Sequence, residues 1–407
     1  MTCDIPILFA DLLGVLSSCP EQLPWISSTI QLQTTSLAFC KLCRQGSSLT
    51  LKVDLKTPPR MLSLWFGNST RVPLLRPASL IWFANPEGLL VRQLKQMLSL
   101  VSWAESLKVL SISGIFEELL SNVALPSSLL TINLGYLFDQ PISKVKWPRY
   151  LVSLSFGDNF NQPISGAKFP NSLRHLVFGS HFNQPILDVV WPSSLVQLTF
   201  FDGTFGFNQP LSEVEFPDSL EQLRLSSCFD SAVVGVKWLA CCLKSLEFGV
   251  WFDYPIAGTK WPSLLEEVKF GYSFNQSLVG VEWPISLAIL EVGGEFNQSL
   301  NGALPKNLKE LRLGQRFNQP IVGDVFPESL EKVVFGEDFD QSIVEVKWPK
   351  SLVVLKFGYS FNKPIIGVDW VRVTPNLVEL QFGKCFQESI GVNFSKSLEV
   401  LVCHRLY

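Results

Sequence analysis

The side chains best suited to catalysis or metal binding are few in this chain, and their spacing supports neither. The three histidines are His175, His181 and His404, and no acid or nucleophile recurs near them. Cys40 and Cys43 form a C-x-x-C pair, but a zinc site would need a second such pair or two histidines at short spacing. The phosphate-binding pattern G-x-x-x-x-G-K followed by Ser or Thr does not occur. The sequence therefore predicts no enzyme, no metal and no cofactor.

The overall composition argues against several classes of partner. The 33 basic and 36 acidic residues are intermixed and leave a formal net charge of −3, which gives no general attraction to nucleic acid or to anionic lipid. No apolar run is long enough to span a bilayer, so membrane insertion is not expected. The nine cysteines form no framework, which is typical of a reducing compartment. We therefore expect a cytoplasmic or otherwise intracellular protein.

The strongest signal in the chain is a repeat of about 22 residues. Its most regular element is a phenylalanine followed by a polar motif, in its fullest form F-N-Q-P-I. The copies begin at Phe138, Phe160, Phe182, Phe207, Phe229, Phe252, Phe274, Phe296, Phe317, Phe339, Phe361 and Phe386. A weaker copy begins at Phe116, and residues 59–67 look like a decayed unit before the period fades. A fixed period of this length is the signature of a stacked repeat array.

Each unit reads as a short strand, a glycine, and an extended return. In residues 170–191, Leu176 and Phe178 alternate with outward positions, which is the pattern of a strand with one buried face. Gly179 follows the strand, and we expect it to adopt a positive φ in a turn. The next aromatic is followed in most units by a proline, which belongs just before the following strand because it has no amide hydrogen.

Stacking of such units predicts columns of like side chains. The phenylalanines of the motif should form one aromatic column, and a second should form from the aromatic nine residues later, such as Trp191. The Asn or Asp after each phenylalanine, such as Asn183, should satisfy buried backbone groups of the turn. A single unit buries too little apolar surface to offset the entropy of ordering its residues, so the units must fold together.

These features predict a repeat solenoid. We expect a parallel β-solenoid or horseshoe, similar to leucine-rich repeats, of about 12–13 units of 22 residues, mostly strand and turn with little helix. The array should occupy residues 101–407. Residues 1–100 should form an irregular N-terminal segment with degenerate repeats that can act as a cap.

The motif P-x-S-L-x-x-L-x-F-G-x-x-F-N-Q-P-I resembles that of the FNIP repeat family over residues 116–403. The resemblance implies a leucine-rich-repeat-like solenoid whose repeats do not catalyse reactions and serve as protein-interaction scaffolds. Some family members join the repeats to an F-box and thus to ubiquitin ligases. Residues 1–100 contain Leu23-Pro-Trp-Ile26 but lack the later positions of an F-box pattern, so only the scaffold role carries over directly.

The outward face of the predicted sheet is the candidate binding surface for a protein partner. The charged outward positions are Arg224, Glu247, Glu267, Lys269, Glu291, Glu310, Arg312, Lys332 and Lys356. Solenoids often bind through an extended face of this kind. Alternating charges on neighbouring strands also stabilise a sheet without any partner, and this reading stays open beside the first.

Three further expectations concern the edges of the array and its setting. Two units carry extra residues, at 201–206 and 370–375, which should form loops in which Phe201 or Phe205 is exposed. Residues 398–407 end soon after the last predicted strand and would leave an edge open to pairing with another chain. Besides an intracellular scaffold, the sequence allows a secreted or surface recognition protein and a substrate adaptor of a ubiquitin ligase.

Overall fold

The architecture is a single series of strands stacked side by side. The computed structural model describes residues 30–33, 39–45, 48–54, 79–83, 107–113, 119–238, 242–323 and 325–403. The strands are β1 (Ile30–Gln33), β2 (Phe39–Gln45), β3 (Ser48–Asp54), β4 (Ser79–Phe83), β5 (Val109–Ser113), β6 (Thr131–Leu134), β7 (Ser153–Ser155), β8 (His175–Phe178), β9 (Gln197–Phe200), β10 (Gln222–Arg224), β11 (Ser245–Glu247), β12 (Glu267–Lys269), β13 (Ile289–Glu291), β14 (Glu310–Arg312), β15 (Lys332–Val334), β16 (Val354–Lys356), β17 (Glu379–Gln381) and β18 (Val400–Val402).

Nearly every strand pairs in parallel with the next one in sequence. From β3 to β18 each pairing is parallel. The pairings of β1 with β2 and of β2 with β3 are antiparallel. The predicted parallel solenoid is thereby confirmed, with thirteen strands from β6 to β18 at about 22-residue spacing. The sheet also continues through β1–β4 into the first 100 residues, where the capping role stays a prediction.

Helix is almost absent from the described residues. One turn of 3₁₀ helix spans Leu120–Asn122, and one α-helical turn, α1, spans Trp370–Val373. The turn α1 falls in one of the two predicted insertions, which is therefore helical and not an irregular loop. Asp369 begins it by accepting a hydrogen bond from the backbone N–H of Arg372 at 3.2 Å, and Trp370 is fully buried.

The core consists of aromatic columns that run from unit to unit. The motif phenylalanines are completely buried and stack on one another, as Phe160 and Phe182 do with ring centroids 5.9 Å apart and an interplanar angle of 3°. A second column comes from the end of each strand: Phe178 lies 4.2 Å from Phe182. The first predicted column is confirmed. The other predicted column stacks in places, for example between Trp261 and Trp283, whose centroids are 5.4 Å apart.

Polar side chains join the units in two further ladders. The Oδ1 of Asn161 accepts hydrogen bonds from the backbone N–H of Asn183 at 2.9 Å and from the Nε2 of Gln184 at 3.0 Å. The hydroxyl of Ser172 donates to the carbonyl of Leu151 at 2.7 Å. Asn was expected to satisfy buried backbone groups of the turn. Its side chain does bond a turn backbone, but that of the next unit and at an exposed edge of the solenoid.

The glycine after each strand has a different role from the one predicted. Gly179 and its equivalents are not in the positive-φ region; the glycines with positive φ lie six residues after the motif phenylalanine, as Gly166 does at 75°. At Gly179 a Cβ atom would overlap with the carbonyl group of Gly157 in the preceding unit. The glycine is required there because two backbones approach too closely for any side chain. The expectation of a positive φ at Gly179 was wrong.

The last described strand leaves core positions partly exposed. Leu401 occupies the register of the fully buried Leu380, yet it is 42% exposed, and its neighbour Val400 is 43% exposed. No further strand among the described residues covers this side of β18. Association of two chains through this edge stays a prediction.

Candidate functional site

The outward face of the sheet is built by the alternation within each strand. In β12 the central Val268 is buried while Glu267 and Lys269 on either side are half-buried, because successive side chains of a strand point to opposite faces. The same pattern recurs in β7, β11, β13, β15, β16 and β17. The structure therefore places all nine predicted charged residues on one face. Whether they bind a partner stays a prediction.

One row of this face alternates in charge from strand to strand. Register pairs Arg224 with Glu247, then Glu247 with Lys269. It continues by pairing Lys269 with Glu291, and Glu291 with Arg312. The Nε of Arg224 lies 3.2 Å from Glu247, and the Nη1 of Arg312 lies 3.7 Å from Glu291. Five consecutive strands thus carry charges of alternating sign at the same register.

A second row of outward positions includes Glu267, Glu310 and Lys332. Its residues form further ion pairs, some of them with residues of the first row. Glu310 lies between two cations: its Oε1 is 2.5 Å from the Nε of Arg312 and 3.0 Å from the Nζ of Lys332. Glu267 pairs with Lys269 at 2.8 Å. Lys356 pairs with Glu379 of the next strand at 2.7 Å. Each of the nine charged residues therefore has an opposite charge within ion-pair distance, which supports the reading that these charges stabilise the sheet. Binding of a partner by the same residues stays a prediction.

These contacts shift the titration of the two most enclosed carboxylates. Burial opposes ionisation of Glu310, but hydrogen bonds from Lys332 and Arg312 outweigh it and hold the pKa of Glu310 below its ordinary 4.5. For Glu267, burial likewise opposes ionisation, and hydrogen bonds from Lys269 and Ser245 outweigh it and lower the pKa. The ionised forms are therefore favoured in the folded chain.

The stability of the array should fall as these carboxylates are protonated. A folded-state pKa below the unfolded value of about 4.5 means that the unfolded chain binds more protons near that pH. The contribution of Glu310 is therefore present above pH ~4.5 and is lost as the pH falls through the lower, folded-state pKa. Urea unfolding between pH 7 and about pH 3 should show a smaller acid-induced loss for Glu310→Gln than for the unchanged chain. An unaltered profile for Glu310→Gln would contradict the assignment.

The histidines and cysteines form no reactive cluster among the described residues. His175 on β8 lies 3.3 Å from Gln197, and the Nδ1 of His181 lies 2.9 Å from the carbonyl oxygen of Asp158. No group of three metal-ligating side chains occurs in the part of the chain that the structure describes. His404 and the side chains of Cys40 and Cys43 lie outside that part.

The first insertion presents the exposed aromatics that the sequence predicted. Phe205 is 71% exposed and Phe201 is 46% exposed, and the Phe205 ring stacks on His181 with centroids 6.2 Å apart. The structure adds two aromatics that the sequence analysis missed: Trp251 is 61% exposed and Tyr272 is 44% exposed. Tyr272 directly follows the glycine after its strand, as Tyr136 does, and this shared position was the available signal for the tyrosine. Trp251 is the second residue after Gly249 and had no such signal.

The strand series, columns and ladders define a parallel β-solenoid of the leucine-rich-repeat type. A family profile described as FNIP Repeat matches residues 161–202, 274–316 and 317–360. The fold is therefore that of a leucine-rich-repeat-like solenoid, and these three stretches match the FNIP repeat that the sequence motif indicated.

Two solved structures illustrate the similarity. The chain is similar to CroV588, described as a novel circular LRR protein, with 28% identity and a TM-score of 0.56 over 80% of this chain and 53% of that chain. This chain thus spans about half the length of CroV588. A second structure, an internalin (inlF) from Listeria monocytogenes, has 15% identity and a TM-score of 0.36 over 59% of this chain and 81% of that chain. A search of curated proteins found no match. Within the described residues no helix has the length and apolar character needed to traverse a bilayer.

Proposed function

We propose that the chain is a non-enzymatic protein-interaction scaffold that binds through the outward face of its parallel sheet. The observation that carries the proposal is the row of alternating charges from Arg224 to Arg312, held in strict register on neighbouring strands. A face of this kind can discriminate between partners, because a partner with charges out of step meets repulsion at several strands at once.

The ion pairs within the face are compatible with binding a partner. The side chain of Arg312 is 47% exposed and that of Glu291 is 37% exposed, so water screens their attraction. Exposed pairs of this kind contribute about 1 kcal/mol or less to stability. A partner that supplies further opposite charges can therefore engage these side chains without a large cost in fold stability.

A double charge reversal tests the face. In Glu310→Lys combined with Arg312→Glu, the new Glu faces Glu291 and interrupts the alternating row, and the new Lys faces Lys332 and replaces an ion pair by repulsion. We expect proteins that copurify with the unchanged chain from its own cells to be reduced at least about tenfold, the factor that corresponds to 1.4 kcal/mol. Quantitative mass spectrometry after affinity purification measures this.

A matched charge reversal elsewhere serves as the control. Lys260 and Glu282 lie outside the strands, and their Nζ and Oε2 atoms form an ion pair at 2.6 Å. Both side chains are more than half exposed. Exchanging the two by Lys260→Glu and Glu282→Lys should leave the set of copurifying proteins intact. Undiminished capture by the Glu310/Arg312 variant, or equal loss in both variants, would refute the assignment of the sheet face.

Proximity labelling of the full-length chain tests the intracellular setting that we propose. Cytosolic neighbours would support an intracellular scaffold, and ubiquitin-ligase components among them would support the adaptor role. Neighbours from the secretory route or the cell surface would overturn the intracellular proposal.

A further inference from the structure

Two residue pairs in the chain combine an Asn or Asp side chain with a following glycine. Asparagine followed by glycine occurs once, at Asn301-Gly302, and aspartate followed by glycine occurs once, at Asp202-Gly203. In such a pair the backbone nitrogen of the glycine can attack the side-chain carbonyl carbon of the residue before it, because no Cβ on the glycine hinders the approach. Hydrogen bonds that hold either group in place oppose the reaction, since the two must reach each other. The surroundings of each pair therefore decide which of them reacts in the folded chain.

The pair Asn301-Gly302 is not held by hydrogen bonds at the two groups that react. It forms the centre of a turn in which the N–H of Ala303 donates to the carbonyl of Leu300 at 3.1 Å. Asn301 and Gly302 are both exposed, and a Cβ on Gly302 would meet nothing within 4 Å. Neither the side chain of Asn301 nor the N–H of Gly302 has a hydrogen-bond partner among the described residues. The attacking nitrogen and the side-chain carbonyl carbon are therefore free to approach each other.

The pair Asp202-Gly203 is held at both groups. The N–H of Gly203 donates to the Oγ of Ser227 at 3.0 Å, and the Oδ2 of Asp202 lies 2.6 Å from the Nη2 of Arg224. A Cβ on Gly203 would lie 2.4 Å from the Cβ of Ser180, so this turn is also crowded. The folded chain therefore restrains one of its two pairs and leaves the other free.

The motif asparagine in the same unit as Asn301 is also held. The Oδ1 of Asn297 accepts hydrogen bonds from the backbone N–H of Asn318 and from the Nε2 of Gln319, both at 3.0 Å. The hydrogen-bond ladder between units thus fixes the motif side chain, whereas Asn301 lies outside the ladder. Asn297 is therefore an internal comparison for Asn301.

We propose that Asn301 is a site of spontaneous deamidation in the folded protein. The nitrogen of Gly302 forms a bond to the Cγ of Asn301, and the bond between Cγ and Nδ2 breaks. The proton of the attacking nitrogen leaves with the amide group as ammonia, and a cyclic imide remains. Water then opens the imide at either carbonyl carbon, which yields aspartate or isoaspartate. No oxidation or reduction is involved, and the site lies outside the strands of the sheet, so the proposal does not depend on the scaffold function.

Deamidation changes the charge and the backbone at a junction between units. The equivalent positions of the neighbouring units are Val279 and Val322, which are 51% and 56% exposed, so either product places a negative charge in an apolar row. Isoaspartate also lengthens the main chain just before Ala303. Ala303 is buried, and its carbonyl accepts the indole N–H of Trp283 from the preceding unit at 2.9 Å. The modification should therefore loosen the contact between these two units.

Peptide mapping of the full-length chain after incubation in mildly alkaline buffer tests the proposal. Mass spectrometry with electron-transfer fragmentation measures the fraction of acid at each asparagine and separates aspartate from isoaspartate. We expect Asn301 to lose its amide at least about tenfold faster than Asn297, a factor that corresponds to about 1.4 kcal/mol in the barrier. The rate should rise with pH, because the deprotonated nitrogen of Gly302 is the attacking form.

Asp202→Asn is the matched variant, because it places a second asparagine before glycine at the restrained pair. The hydrogen bond from Gly203 to Ser227 does not involve the substituted side chain and should remain. In the folded chain the new amide should react at least about tenfold more slowly than that of Asn301. In the urea-unfolded chain the two should react at the same rate, since only the local sequence remains. Equal rates in the folded chain, or a rate at Asn301 no faster than at Asn297, would overturn the proposal.

Asn301→Val separates the effect on the junction from other changes during incubation. Valine occupies this position in both neighbouring units, so the variant should fold as the unchanged chain does. The deamidated form of the unchanged chain, isolated by anion exchange, should unfold at a lower urea concentration than the unmodified form. Asn301→Val should produce no such acidic form at this position and should keep its unfolding midpoint through the same incubation. An equal midpoint for the deamidated and unmodified forms would refute the loosening of the junction.

Discussion

Replacing Gly271 by alanine is expected to destabilise the array by roughly 3 kcal/mol or more, the upper part of the range for overpacked sites. A Cβ at this position would overlap with the carbonyl group of Gly249 in the preceding unit. No side chain can move aside to relieve this overlap, because both contacting groups are backbone. The two units must separate, and the hydrogen bonds between their turns must lengthen. Urea unfolding, followed by circular dichroism, measures the loss of free energy.

Gly280→Ala is the matched control for this prediction. Gly280 has a φ of 79°, and a Cβ there would meet nothing within 4 Å. The substitution therefore costs only the strain of a left-handed backbone, about 1–2 kcal/mol. Gly271, in contrast, does not have a positive φ, so the close approach of its backbone to that of Gly249 is what requires glycine there. Equal destabilisation by the two substitutions would mean that the approach of the backbones does not decide the choice of glycine after the strand.

The glycine positions show where sequence reasoning about this fold succeeds and where it stops. The period of the repeat identifies Gly179 as necessary, and the alternation around Leu176 predicts which strand residues are buried. A sequence does not state why a glycine is needed, since a positive φ and a close approach both select it. Only the stacking of Gly157 beneath Gly179 decides between the two causes.

The candidate binding surfaces were likewise predictable from the sequence only in part. Placement of the charged residues on the sheet face was predictable, because a strand's period of two fixes the side of the sheet. Their alternation in sign also follows from the repeat spacing, which sets the register of Glu247 against Lys269. Exposure of Trp251 was not predictable, because a turn residue has no periodicity that fixes its direction. Similarly, the extra residues after Asp369 were expected to form a loop, whereas they form α1 around the buried Trp370.

Truncation of a phenylalanine in the main aromatic column should have the second large effect. Phe274 is fully buried and lies 4.0 Å from Phe270, 6.0 Å from Phe252 and 6.2 Å from Phe296, measured between ring centroids. Phe274→Ala removes contacts within its own unit and with both neighbouring units. The backbone hydrogen bonds between units hold the turns in place, so the cavity does not close. We expect a loss of about 3–5 kcal/mol in the free energy of unfolding. Phe205→Ala, the same change at an exposed site, should alter it by less than about 0.5 kcal/mol.

The position of Phe274 within the array adds a second expected result. Units of a solenoid fold together because each is stabilised by contacts with its neighbours, so the contact between units carries the cooperativity. Phe274 contacts Phe252 on one side and Phe296 on the other, and its loss weakens both of these junctions at once. The variant should therefore unfold with a smaller dependence on urea concentration than the unchanged chain, as two blocks in place of one. A loss of free energy with an unchanged urea dependence would show instead that the cavity is absorbed within one unit and that the column does not transmit stability along the solenoid.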